Sequence, residues 1–147
     1  MDTILEGIRQ AFLLLIHGDR QVMQVAGLSL LVSGLATILS LVAGIPLGVA
    51  LALNIFRGRR PLVSLINTGM GSPPVVVGLI VSIFLWRSGL LGFLQLMYTP
   101  AAMVIAQFII AFPVVAGFTM ASVQQLDPKL RLQIISLGAS RFQMVWL

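Results

Sequence analysis

Apolar residues run through this chain in three long stretches separated by short basic or turn-rich segments. Gln21–Phe56 contains no charged residue. A helix of that length would reach roughly 54 Å, against a hydrocarbon core of about 30 Å. No polar turn interrupts it, so the pattern predicts one long, tilted transmembrane helix over 21–56. Pro61–Trp86 and Thr99–Gln125 are also free of charge and predict a second span over 61–86 and a third over 99–125.

The flanks have a different pattern. In residues 1–20, Ile4, Ile8, Phe12, Leu15 and Ile16 recur at helical spacing, with Asp2, Glu6, Arg9 and Gln10 between them. Thr3 and Glu6 form a capping box, and Gly18 suits a helix stop. This predicts an amphipathic helix lying in the membrane interface. His17, the only histidine, sits outside the spans and is read as structural. Residues 126–147 are polar and basic. Asp127 is an N-cap with Pro128 at the first helical position. Gly138 ends that helix, and Ser140-x-x-Gln143 caps a second. The expected helix–turn–helix lies on the membrane surface, where it serves docking.

Composition sets the class. Hydrophobic residues make up 59% and charged residues 9%, and the mean hydropathy is +1.07. Soluble domains carry about 25% charge, so the chain is read as an integral membrane protein. It has no cysteine, which excludes disulfides and thiol chemistry. The net charge of +5 is not a nucleic-acid signal, because the basic residues flank apolar spans. Arg57, Arg59, Arg60, Lys129, Arg131 and Arg141 fall on one side; Arg9, Arg20 and Arg87 fall on the other. By the positive-inside rule the N-terminus lies outside and the C-terminal segment inside.

Two clusters within the spans stand out. Gly44-Ile45-Pro46-Leu47-Gly48 offers a small-xxx-small packing face, extended by Gly34, Ala43 and Ala52, with a proline kink. Within three spans this face is expected to lack a partner, which predicts oligomerisation or degradation. Asn67-Thr68-Gly69-Met70-Gly71-Ser72-Pro73-Pro74 breaks the second span at membrane depth. Freed backbone groups there need protein or water, and such breaks often line transport paths; the other reading is a proline kink buried against neighbouring helices. Asn67, Ser72, Pro73 and Pro74 are the candidate path wall, where N–H groups of the broken end would serve an anion. Residues 87–92 form an external loop, and 93–98 a short interfacial segment with Tyr98 in the aromatic belt. The spans hold no carboxylate for proton coupling and no base to activate Ser72 as a protease nucleophile. The chain has no phosphate-binding glycine loop with lysine.

Ile135-Ser136-Leu137-Gly138-Ala139-Ser140-Arg141-Phe142-Gln143, preceded by Leu126-Asp127-Pro128, resembles the cytoplasmic coupling loop of binding-protein-dependent ABC importer permeases. Gly44-Ile45-Pro46-Leu47-Gly48 resembles the first core helix of that family. The stretch from Gly71 to Leu79 is similar to the second core helix of its molybdate, tungstate and sulfate importers. Residues 67–71 with 99–107 look most like the tungstate branch. The family's loop usually begins Glu-Ala-Ala, where this chain has Leu132, Gln133 and Ile134. The family core also continues past the loop, so the chain is expected to be a truncated product.

The resemblance implies an all-α membrane protein: three transmembrane helices, an N-terminal interfacial helix and C-terminal cytoplasmic coupling helices, a partial type I ABC importer permease fold. Residues 1–147 would be one transmembrane domain. It implies a bacterial or archaeal plasma membrane permease subunit that moves a tungstate-like oxyanion and is not itself an enzyme. The implied partners are ABC ATPase subunits, an extracytoplasmic substrate-binding protein, and a second permease copy in a homodimer within the bilayer; nucleic acid is not among them. ATP and Mg would sit on the ATPase, with no cofactor on this chain. Asp127, Pro128, Gly138, Ala139, Ser140 and Arg141 would dock the ATPase. Two rival readings are an ATP-independent channel or carrier and a non-transporting fragment of such a permease.

Overall fold

The computed structural model describes residues 4–7, 9, 13 and 17–126. Among them the chain is all helix and turn: α1 (Arg20–Leu53), α2 (Arg59–Gly71), α3 (Pro74–Leu85), a 3-10 turn (Gly92–Leu94) and α4 (Pro100–Gln124). The first flank is helical at residues 4–7, 9 and 13. His17 Nδ1 lies 2.8 Å from the Leu13 carbonyl. Gly18 then takes a φ of 62°, a left-handed turn that glycine adopts without steric cost.

Asp19 starts α1. Its carboxylate accepts from the N–H groups of Gln21 and Val22 at 3.0 and 3.2 Å, an N-cap that draws Arg20 into the helix. The helix then continues for 34 residues, about 51 Å. Ser29, Ser33 and Thr37 each donate to the carbonyl four residues back, so no hydroxyl on this apolar helix lacks a partner. Pro46 lies inside α1 on an exposed side without ending it.

Among the described residues, only α1 and α4 are individually long and apolar enough to cross a bilayer. They pack along a stripe formed by Val32, Ala36, Ser40, Gly44, Gly48 and Leu51, almost one residue per turn of α1. A Cβ on Gly44 would stand 2.8 Å from Val115 Cγ1. On Gly48 it would stand 2.6 Å from the Ala116 carbonyl oxygen and 2.7 Å from Thr119 Cβ. The expectation that these glycines have no partner within the chain is therefore corrected. Their missing side chains let the α4 backbone approach, as small residues do in membrane bundles. Because 44 meets 115–116 and 48 meets 116–120, α1 and α4 run parallel.

Two parallel spanning helices need a return between them. α2 supplies its first part, antiparallel to α4: Ile66 reaches Gly117, and a Cβ on Gly69 would stand 2.9 Å from Pro113 Cβ. Leu51, Ile66, Ala116 and Met120 form the core where α1, α2 and α4 meet. Arg59 joins the ends of α1 and α2 by donating from Nε to the Leu51 carbonyl at 2.7 Å, one of the acceptors that a helix C-terminus leaves open.

The expected second span over 61–86 takes a different form. Its two helices meet at a bend of 108°. With α2 about 20 Å long and α3 about 18 Å, the bent pair reaches only about 22 Å end to end. A straight crossing is thus replaced by a half-length helix followed by one lying crosswise. The loop after α3 folds tightly. Leu91 N–H donates to the Phe84 carbonyl at 2.9 Å, and any side chain at Gly89 or Gly92 would meet backbone carbonyls of residues 83–87. Gln95 and Tyr98 have left-handed φ values of 50° and 65°. Thr99 leads into α4, its hydroxyl donating to the Leu96 carbonyl at 2.6 Å, with Pro100 at the first helical position.

Candidate translocation path at a broken helix

The break in the second apolar run is confined to Ser72 and Pro73. Pro73 and Pro74 lack N–H groups, so α2 cannot propagate through them. Ser72 closes α2 with its N–H on the Gly69 carbonyl at 3.3 Å, while its hydroxyl donates to the Thr68 carbonyl at 2.8 Å. Gly69 lies against Pro113, near the midpoint of Pro100–Gln124. If α4 spans the bilayer, the break sits close to mid-depth, where discontinuous helices line cavities.

The prolines also limit what this break offers an anion. Val76 and Val77 both donate to the Pro73 carbonyl, at 3.0 and 3.2 Å. Among the described residues, that leaves Val75 with the open amide at the start of α3. The expected array of N–H groups at the broken end is reduced to one.

The polar groups gather instead along α2. Ile66 and Gly69 turn toward α4, leaving Arg60, Ser64, Asn67 and Thr68 on the exposed side, spaced along two helical turns. With Arg59 and Val63 they line an open cleft of about 510 Å³. Asn67 is therefore helical and borders this cleft, while Ser72, Pro73 and Pro74 form the break beyond it. Thr68 donates to the Ser64 carbonyl at 2.9 Å. Arg59 and Arg60 were read from sequence as basic residues between the spans that mark the inside. The structure makes them the first two residues of α2, because Gly58, with a φ of 97°, reverses the chain directly before them. The spacing of Arg60, Ser64, Asn67 and Thr68 was the available signal, and starting the second span at Pro61 obscured it.

The pair Gly44 and Gly48 lies in the α1–α4 seam, with Pro46 facing away from it. The proposed docking residues Asp127, Pro128, Gly138, Ala139, Ser140 and Arg141 lie outside the described residues. So do the Thr3 side of the first capping box and the second capping box.

A helical membrane protein whose second apolar segment breaks between half-length helices shares a feature of many transport proteins. Comparison with known proteins makes this specific: the chain belongs to the family described as binding-protein-dependent transport system inner membrane component, which matches residues 44–147. The chain is 39% identical over 145 residues to the tungstate uptake system permease protein TupB of Peptoclostridium acidaminophilum, covering 99% of this chain and 64% of that protein. It is 32% identical to TupB of Campylobacter jejuni, covering 99% of this chain and 61% of that one. It is 40% identical over 116 residues to the "Probable anion ABC transporter permease protein" of Haloferax volcanii, covering 79% and 50%. The chain thus spans between half and two thirds of these relatives. The all-α membrane fold and membership of the ABC importer permeases agree with the sequence reading.

Proposed function

We propose that this chain is the membrane-spanning part of an ATP-driven importer for a small oxyanion of the tungstate type. The observation carrying this reading is its similarity, over 99% of its length, to permeases named for tungstate uptake. The helix break at Ser72-Pro73, beside a polar helix face, supports a path at this position. A conduit needs weak, local contacts with its cargo, and polar groups on a mostly apolar bundle suit that need.

In this reading the N-terminus lies outside, and the 126–147 segment meets the partner ATPase in the cytoplasm. Asp127, Pro128 and the Gly138-Ala139-Ser140-Arg141 turn transmit its motion. ATP and Mg are bound and consumed on that partner, an extracytoplasmic binding protein delivers the anion, and a second permease copy completes the path. The role of this chain is mechanical, so it carries no catalytic residue.

Gly138→Asp in the assembled importer tests the coupling. Its expected outcome is loss of substrate-stimulated ATP hydrolysis with unchanged membrane insertion. Normal stimulation would overturn the docking assignment. Tungstate uptake that persists without any ATPase would instead favour an ATP-independent carrier.

A further inference from the structure

The cleft on α2 is chemically one-sided. Among the described residues, two guanidinium groups, a hydroxyl pair and a carboxamide line it together with Val63, with no carboxylate. Arginine presents forked N–H donors that match two oxygens of a carboxylate, phosphate or similar anion. The Nε–Leu51 bond anchors Arg59, which lowers the ordering cost of a bound ligand. Arg60 is one position further into the helix, and Ser64 and Asn67 follow at the spacing that keeps them on its face. The Arg59 end of the cleft is tied to the Leu51 carbonyl, so the cleft begins at the end of the bundle where α1 and α4 finish and runs along α2 toward the break. In the orientation proposed above, that end is cytoplasmic.

We propose that this cleft binds a tetrahedral oxyanion, with Arg59 and Arg60 as charged donors and Asn67 as the neutral donor. The site would be the last protein contact of an anion leaving the path, or a seat for a lipid phosphate at the same surface; both present the same chemistry. Only the identity of the natural ligand rests on the oxyanion reading above.

The test uses the chain in phosphatidylcholine nanodiscs, dialysed to equilibrium against tungstate, with retained tungsten measured by elemental mass spectrometry. Arg60→Gln should lower retention about tenfold, the scale of one lost charge-assisted contact. Arg60→Lys, which keeps the charge and loses the fork, should fall between the two. Arg57→Gln is the control: it removes the same charge nearby without lining the cleft, and should change retention less than about twofold. Circular dichroism confirms that each variant is folded.

Equal losses for Arg57→Gln and Arg60→Gln, or no retention by the parent chain, would overturn the site in favour of diffuse surface charge or none. A second arm replaces about 30% of the lipid with phosphatidylglycerol. Displacement of tungstate, with Arg60-dependent enrichment of that lipid, assigns the site to lipid phosphate; undiminished tungstate retention assigns it to the free anion. Uptake of tungstate by the assembled importer without retention here would sink the cleft and leave the cargo reading intact. Retention here without oxyanion uptake would do the reverse.

Discussion

Gly48 is the residue on which the close approach of α1 to α4 most visibly depends. A side chain there would meet the Ala116 carbonyl and the start of the next turn, both backbone positions that cannot rotate aside. Gly48→Leu is expected to destabilise the helix pair by about 1–3 kcal/mol, the usual cost of overpacking. Gly34→Leu, with nothing within 4 Å of its Cβ position, should stay within about 0.5 kcal/mol. Thermal unfolding in detergent checks the contrast, and equal destabilisation by the two would refute the packing account. Sequence alone identified Gly44 and Gly48 as a packing face, because small residues at that spacing have few other uses in an apolar helix. It grouped Gly34 with them, and nothing in the spacing could show that Gly34 points away from the seam.

The break is a property of elements rather than of one residue. Prolines at 73 and 74 stop α2 from propagating, but the 108° turn also depends on how α3 is held, with Val81 and Leu85 buried. Replacing both prolines with alanine should let a continuous helix compete with the bend. Spin labels at exposed Leu62 and Ile83 would then show a new population near about 32 Å beside the bent one near about 16 Å, from 1.5 Å per residue. A distance distribution unchanged by the double substitution would mean that tertiary contacts alone impose the bend. The position of the break was legible in the sequence, since Pro73-Pro74 removes two consecutive donors. Its angle was not. A proline motif says where hydrogen bonding fails and is silent on where the following helix finds its partners.

At the scale of the whole molecule, the parallel sense of α1 and α4 constrains topology. Their C-terminal ends share one side, so the 54–58 turn and the start of α4 beside Tyr98 belong at opposite ends of the bundle. The chain has no native cysteine, so single substitutions report cleanly. In intact cells an impermeant maleimide is expected to label Tyr98→Cys, at a position 82% exposed in the structure. Ile55→Cys, 98% exposed in the structure, should react only after the membrane is opened. Labelling of both from the same side would contradict the arrangement. The exposed apolar face of α3, with Val75, Leu79 and Ile83 more than half exposed, fits a protein whose surroundings include lipid.

The sequence by itself determined the class, the all-helical content, the long apolar helices and the place where the second is interrupted. Each follows from local chemistry: hydropathy over a bilayer-length window and missing proline donors. Only the tertiary structure decided that Gly44 and Gly48 face α4, that α1 and α4 run parallel, and that Arg59 and Arg60 share a cleft with Ser64, Asn67 and Thr68. Those facts depend on the direction in which distant segments return. In an apolar solvent many helix faces are nearly equivalent, and the choice among them is made by backbone approach and shape rather than by hydrophobic pattern.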